Sequence, residues 1–276
     1  MNIRSIPEPG KTHYRTIFLS DVHLGTKGCQ ADRLLTFLKQ HTCDQLYLVG
    51  DIIDGWRMKS SGIYWPQSHI NVIRRVLTMT KRGTEVIYVT GNHDEFLRDH
   101  SPVEIGNLKI VDEARHETAD GRKLLVVHGD QFDVITRYHR WIAWLGDIGY
   151  TILLELNRFL NKLRNQLGYG YWSLSAWLKH KVKRAVNYIG EYEDALAHHC
   201  RRNGYEGVVC GHIHHAEISD FDGVSYMNCG DWVESCTALV EDDKGRFQVI
   251  DWTTEAETAA NPGSTVLPFD DERLSA

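Results

Sequence analysis

Five short stretches of this chain place Asp, His and Asn directly after apolar runs. "FLSDVHLG" carries Asp21 and His23, "LVGDIIDGW" carries Asp51, and "VTGNHDE" carries Asn92, His93 and Asp94. "VVHGD" carries His128, and "VVCGHIHH" carries His212, His214 and His215. Carboxylate, imidazole and amide oxygen are donors that suit divalent transition metals such as Mn, Fe or Zn. They are too many for one tetrahedral ion and enough for two ions sharing a carboxylate. Two metals about 3.5–4 Å apart clamp the attacking and leaving oxygens of a phosphoryl group. Each residue alone has a plainer reading. Asp21 and Asp51 suit helix N-caps after a strand, Gly91-Asn92 suits a turn, and His128 suits a satisfied core histidine. His212 and His214, two apart, face the same side of an extended segment, which favours shared ligation and turns His215 away. The argument for a site is joint: ligands of open α/β sheets gather outside the carboxyl ends of strands.

The elements that must position these residues follow from periodicity. "TIFLS" (16–20), "QLYLVG" (45–50), "EVIYVTG" (85–91), "KLLVVHG" (123–129) and "GVVCG" (207–211) are short continuous apolar runs, the pattern of buried strands. Helical spacing over 30–41 (Leu34, Leu35, Leu38) and 68–82 (Ile70, Val72, Ile73, Val76, Leu77) separates the first three. Alternating strands and helices predict an α/β architecture. "SYMNCG", "TALVED" and "FQVID" predict later strands joined by short turns, closing an antiparallel or mixed sheet. Residues 1 to about 14 read as a loose arm, and those from about 253 onward as a polar tail. No internal repeat is visible.

The chain of 276 residues carries a formal charge of -6 and suits one large domain or a domain with an insertion. That balance gives no sign of nucleic acid as a partner. Cys29, Cys43, Cys200, Cys210, Cys229 and Cys236 form no C-x-x-C pair and read as reduced thiols of a cytoplasmic protein. The first residues lack the apolar core of a secretion signal. "WIAWLGDIGYTILLEL" (141–156) is shorter than the roughly 20 residues a spanning helix needs, and it contains Asp147 and Glu155.

Taken in order, Asp21-x-His23, Gly50-Asp51, Gly91-Asn92-His93-Asp94, His128-Gly129 and Gly211-His212-x-His214 resemble the motif blocks of the calcineurin-like metallophosphoesterases. The resemblance spans residues 21 to 214. It implies a β-sandwich of two mixed sheets flanked by helices, an α/β fold (α+β by some schemes). It implies that Asp21, His23, Asp51 and His214 bind one metal and that Asp51, Asn92, His128 and His212 bind a second, with Asp51 bridging. Mn is the metal it implies; the donor set also permits Fe or Zn. A metal-bridging hydroxide would attack phosphorus. His93 would meet the substrate phosphate and protonate the leaving oxygen, with Asp94 orienting its ring.

Between the fourth and fifth of these blocks lies a mostly helical interruption, about 132–200. Residues 131–190 hold nine Lys/Arg, three acids and four of the eight tryptophans. Such a basic, aromatic segment suits a phosphate backbone, a membrane interface, or a packed hairpin with a solvated basic face. The apolar run at 141–156 favours an acyl-chain site or interfacial lid over nucleic acid. The position of this insertion, and "YLVGDIIDGW" with Trp56 five residues after Asp51, resemble the UDP-2,3-diacylglucosamine hydrolase branch of the family. The resemblance implies a core of 1–131 and 201–252, a helical cap at 132–200 and a flexible tail at 253–276. It implies a cytoplasmic enzyme resting on the inner membrane through the cap. The substrate would be met by Trp56, Arg137, Lys181 and Arg184. The best-studied members of that branch have Arg where this chain has His93, which leaves another lipid, nucleotide or nucleic-acid phosphodiester as the rival substrate. A non-catalytic scaffold is disfavoured because all seven inferred ligands and His93 are present. A protein phosphatase is disfavoured by an apolar lid.

Overall fold

The computed structural model describes residues 10–132 and 192–253. The first of two sheets has seven strands: β1 (Thr12–Leu19), β2 (His41–Val49), β3 (Glu85–Val89), β4 (Val103–Ile105), β5 (Leu108–Val111), β11 (Thr237–Glu241) and β12 (Phe247–Asp251). Their order is β12-β11-β1-β2-β3-β5-β4. The second has five: β6 (Glu113–Glu117), β7 (Lys123–Val127), β8 (Gly207–Cys210), β9 (Glu217–Phe221) and β10 (Val224–Asn228), in the order β6-β7-β8-β10-β9. β1, β2, β3 and β5 run parallel, as do β7, β8 and β10. Antiparallel strands flank them, so both sheets are mixed.

Alternation in β1 explains the layering. Ile17 and Leu19 face outward to helices α1 (Ala31–Gln40) and α3 (Gln67–Lys81), while Phe18 faces the other sheet. Between the sheets Phe18, Tyr47, Val49, Ile87 and Val89 meet Leu124, Val126, Val209 and Met227. Strands buried on both faces therefore read as continuous apolar runs. One polar network crosses this interior. Buried Glu241 takes both oxygens' worth of contact from Arg15 Nη1 (2.9 and 2.8 Å), with His116 Nε2 at 2.8 Å and donation from Thr16 and the Ala119 amide.

Among the described residues a further helix, α4 (described from 192 to 203), covers the outer face of the second sheet. Its Leu196, Ala197 and Cys200 pack with Leu125, Val127 and Tyr226. Residues 192–200, expected in the inserted cap, thus belong to the core layer. The remainder of that cap and the tail expected beyond 253 lie outside the described residues. Other boundaries also move. β1 begins at Thr12, inside the expected arm, and α2 (Gly55–Ser61), β4, β5, β6 and β9 had no counterpart among the expected elements.

Candidate metal centre

Parallel strands carry their C-terminal ends to one edge of the sandwich. Asp21, His23, Asp51, Asn92, His128, His212 and His214 all follow such ends within a few residues. Five of them, Asp21, His23, Asp51, His212 and His214, have positive φ between 51° and 71°. That backbone region costs a side-chain-bearing residue about 1–3 kcal/mol, so it persists only where surroundings over-determine it. Here they do. Asp21 N donates to Gly50 O (3.1 Å), His23 N to Asp51 O (2.9 Å), and Gly211 N to His128 O (3.1 Å). His212 N donates to Asp21 Oδ2 (2.9 Å) and His93 N to Asp51 Oδ1 (2.8 Å). Each block is pinned by another.

The glycines of the blocks have a steric reason. A Cβ on Gly50 would fall on the His128 ring, and one on Gly91 would fall on the Asp51 carboxylate. On Gly211 it would meet Ser20 and Asp21, and on Gly129 the Tyr192 hydroxyl. Every glycine is the gap through which a neighbouring block's side chain, or Tyr192 of α4, enters.

The donor atoms converge. His214 Nε2 lies 3.1 Å and His23 Nε2 3.9 Å from Asp21 Oδ1. His128 Nε2 lies 3.4 Å and His23 Nε2 4.0 Å from Asp51 Oδ2. Asp21–His23–His214 and Asp21–Asp51–His128 each bring three donors within 4.8 Å of one another. His23 Nε2, Asn92 Oδ1 and His128 Nε2 are buried without a hydrogen-bond partner. Burying an unpaired polar atom costs about 1–3 kcal/mol, and three such atoms at one edge fit a shared cation. The imidazoles are also turned for ligation. His128 Nδ1 sits 3.0 Å from Val49 O and His23 Nδ1 3.2 Å from Asp54 Oδ2, which leaves both Nε2 atoms for the centre. The His212 ring lies 5.2 Å from that of His128, and the exposed His215 points instead to Glu217, 3.5 Å away.

The electrostatics agree. Burial pushes the carboxyls of Asp21 and Asp51 up, but the imidazoles of His214 and His128 beside Asp21, and of His128, His93 and His23 beside Asp51, more than reverse this. Both stay below the usual carboxylate range. Burial lowers His128, yet the charges of Asp51 and Asp21 outweigh it and raise the group to about 10. The negative potential that retains a proton there equally attracts a divalent cation.

His93 borders this cluster, its Nε2 3.9 Å from Asp51 Oδ2. The ring lies against Trp56 (centroids 4.3 Å apart), whose Nε1 donates to Glu95 at 3.1 Å. Its Nδ1 lies 3.1 Å from Asp54 Oδ2. Asp94, expected to orient His93, does something else. Its oxygens accept from Ile52 N (2.9 Å), Tyr88 Oη (2.6 Å) and Gly91 N. Burial, then repulsion from Asp51, raises its carboxyl. The residue placed against His93 is Asp54, which sequence reasoning passed over. One of its oxygens caps α2 by accepting from Arg57 N (2.8 Å), and the other faces His23 and His93. The signal was the second acid in "GDIID", disguised as a helix cap. Arg137, Lys181 and Arg184 lie outside the described residues.

The calcineurin-like phosphoesterase family matches residues 14–216, and the chain belongs to it. The chain is 21% identical over 246 residues to a UDP-2,3-diacylglucosamine hydrolase of Aliivibrio fischeri, covering 83% of this chain and 95% of that one. It is 26% identical over 245 residues to a protein of the same name from Aeromonas salmonicida, covering 82% and 89%. Among solved structures, the phosphoesterase Yfce of E. coli overlays with a TM-score of 0.40 and 12% identity, covering 86% of this chain and 98% of that one. The chain is a metal-dependent phosphoester hydrolase. Among the described residues no helix is long and apolar enough to cross a membrane.

Proposed function

We propose that this enzyme hydrolyses the pyrophosphate bond of UDP-2,3-diacylglucosamine, releasing UMP and 2,3-diacylglucosamine 1-phosphate, in the cytoplasm at the inner-membrane surface. The observation that carries the lipid reading is the exposed apolar surface on and around α2, the helix that sets Trp56 against His93. Trp56 on α2 lies against the imidazole, Phe96 on the Glu95–His100 turn is 38% exposed, and Ile63 and Tyr64, just after α2, are 73% and 42% exposed. Large exposed apolar groups beside a charged centre suit a substrate with a phosphate head and acyl chains. The names of the Aliivibrio and Aeromonas relatives support the same substrate.

Asp21, His23, Asp51 and His214 would hold one divalent ion, and Asp51, Asn92, His128 and His212 a second, with Mn the leading metal and Fe or Zn compatible. When bound, such ions supply a water of lowered pKa and a clamp on the phosphoryl oxygens. The neutral Asn92 oxygen adds a ligand without adding charge to two buried carboxylates. His93 would carry a proton on Nε2 and deliver it to the departing phosphate oxygen. Asp54 would hold Nδ1 and so aim that Nε2. The basic segment that includes Arg137, Lys181 and Arg184 would meet the nucleotide phosphates, and Trp56 the substrate beside His93.

The test is turnover of UDP-2,3-diacylglucosamine with added Mn²⁺, reading UMP by chromatography. UMP release that disappears in Asp51→Ala, together with its bound metal, is expected. Cleavage of a generic phosphodiester without UMP release would move the substrate elsewhere in the phosphodiester class.

A further inference from the structure

Asn92 and His128 leave different sheets, Asn92 after β3 and His128 after β7, and no ladder joins those strands. A polar chain spans the gap. Thr90 N donates to Val111 O (2.9 Å), and Thr90 Oγ1 donates to Asp112 Oδ1 (2.9 Å), at the crossing from β5 to β6. Arg98, on the short 3-10 turn Glu95–His100, donates from Nε to Thr90 Oγ1 (3.2 Å) and from Nη2 to Thr90 O (3.3 Å). The same Nη2 donates to both oxygens of Asp130, at 2.8 and 3.0 Å. Thr90 is two residues before Asn92, and Asp130 is two residues after His128. The Asp130 side chain is 12% exposed and that of Arg98 34%, so solvent screens this pair less than a rim pair.

We infer that Arg98 and Asp130 form a positioning clamp that sets the separation of Asn92 Oδ1 from His128 Nε2, and so the occupancy of the metal site those two share. The inference rests on the ligand assignment proposed above. Neither residue is assigned to touch metal or substrate. Arg98 has one hand on the Thr90 turn and one on the Asp130 turn, and only a planar, multi-donor head does both at these distances. A lysine ammonium is a single point and would have to choose. Asp21 and His23 are braced by the Gly50 and Asp51 carbonyls, and His214 faces Asp21 at 3.1 Å, none of them through Arg98 or Asp130. Loss of the clamp should therefore act on one ion and spare the other.

The experiment is Mn²⁺ titration by calorimetry of wild type, Arg98→Met, Arg98→Lys, Asp130→Asn, the double variant Arg98→Met/Asp130→Asn and His128→Ala, with thermal melts on each. Each single clamp variant, Arg98→Lys included, should keep its tighter Mn²⁺ equivalent and bind the weaker one about tenfold less well or worse. The double variant should lose no more than the worse single, because the two groups act on each other. Turnover should fall at limiting Mn²⁺ and return at saturating Mn²⁺, a rescue that a general structural defect would not give. Asp130→Asn preserves shape and carries the test if Arg98→Met does not fold. Unchanged affinities, or equal weakening of both equivalents, would overturn the clamp. His128→Ala separates the two ideas. If it retains both equivalents, the ligand assignment fails and the clamp with it; if it loses one while the clamp variants lose none, the clamp alone fails.

Discussion

Asp54 and Asp94 divide two tasks that lie close together in space and look interchangeable in sequence. Asp54 faces the Nδ1 atoms of His23 and His93, at 3.2 and 3.1 Å. Burial raises its carboxyl, but contact with His23 and His93 and the Arg57 amide overcome this and hold it low, so it acts as an anion. An Asn there would turn an NH₂ group toward ring N–H donors. Asp54→Asn should lower kcat by about 10²–10⁴, the range expected for losing a general acid, with little change in Tm. Asp94→Asn should do the reverse. It would point N–H groups at the Ile52 and Gly91 amides or the Tyr88 hydroxyl, costing about 1–3 kcal/mol of stability. Steady-state kinetics beside thermal melts decides this. A slow, fully stable Asp94→Asn paired with an active Asp54→Asn would return the imidazole to Asp94. Adjacency to His93 made Asp94 the natural guess, yet neighbouring side chains in a tight loop diverge, and the carboxylate 3.1 Å from His93 Nδ1 is Asp54 from another loop.

At the scale of elements, what could be read ahead was what burial imposes. Strands covered on both faces, such as β1 to β3, β7 and β8, announce themselves as apolar runs. The missed strands β4, β6 and β9 lie at sheet edges, and β5 is next to an edge. "EARHE" and "EISDF" carry the charges that keep an edge from pairing with another chain. α4 was misplaced for another reason. Tyr192, Leu196, Ala197 and Cys200 have the same helical spacing whether they line a cap or a core, and only the sheet beneath them distinguishes the two. That burial has a titratable consequence. Glu193, on α4, is 6% exposed with one oxygen unpaired. Burial first, then Glu217 and Asp194, push its carboxyl up to about 7. Between the ordinary glutamate value and about 7 the folded chain binds more protons than the unfolded one, so stability falls as pH rises through that window. Glu193→Gln removes the charge. Its Tm should match wild type near pH 4, exceed it increasingly up to about pH 7, and keep that margin above it. A constant difference across that range would mean that Glu193 does not titrate there.

At the scale of the molecule, the candidate centre is a joint between sheets. Asp21, His23, Asp51 and Asn92 come from the seven-stranded sheet, and His128, His212 and His214 from the five-stranded one. Elsewhere the two are held by the apolar interior and by Glu241, which links Arg15 and Thr16 of one sheet to His116 of the other. At the strand ends the contacts are positive-φ turns, the Arg98–Asp130 pair, and carboxylates and imidazoles with His23 Nε2, Asn92 Oδ1 and His128 Nε2 left unpaired without a cation. Divalent ions bound there act as ligands of the folded state only. At about a thousand times the dissociation constant such binding contributes about 4 kcal/mol. For a domain of this size each kcal/mol moves Tm by about 2–4 °C. Chelation by EDTA should therefore lower Tm on the order of 10 °C, and Mn²⁺ should restore it. Amide exchange should rise most at residues 20–24, 50–54, 90–94 and 128–130 and at 211–215, the loops on both sides of the joint. The strands beneath, fixed by the interior, should stay protected. If chelation left Tm and exchange unchanged, packing, the Glu241 network and the Arg98–Asp130 pair would suffice to join the two sheets, and the strained loops would be stable without an ion.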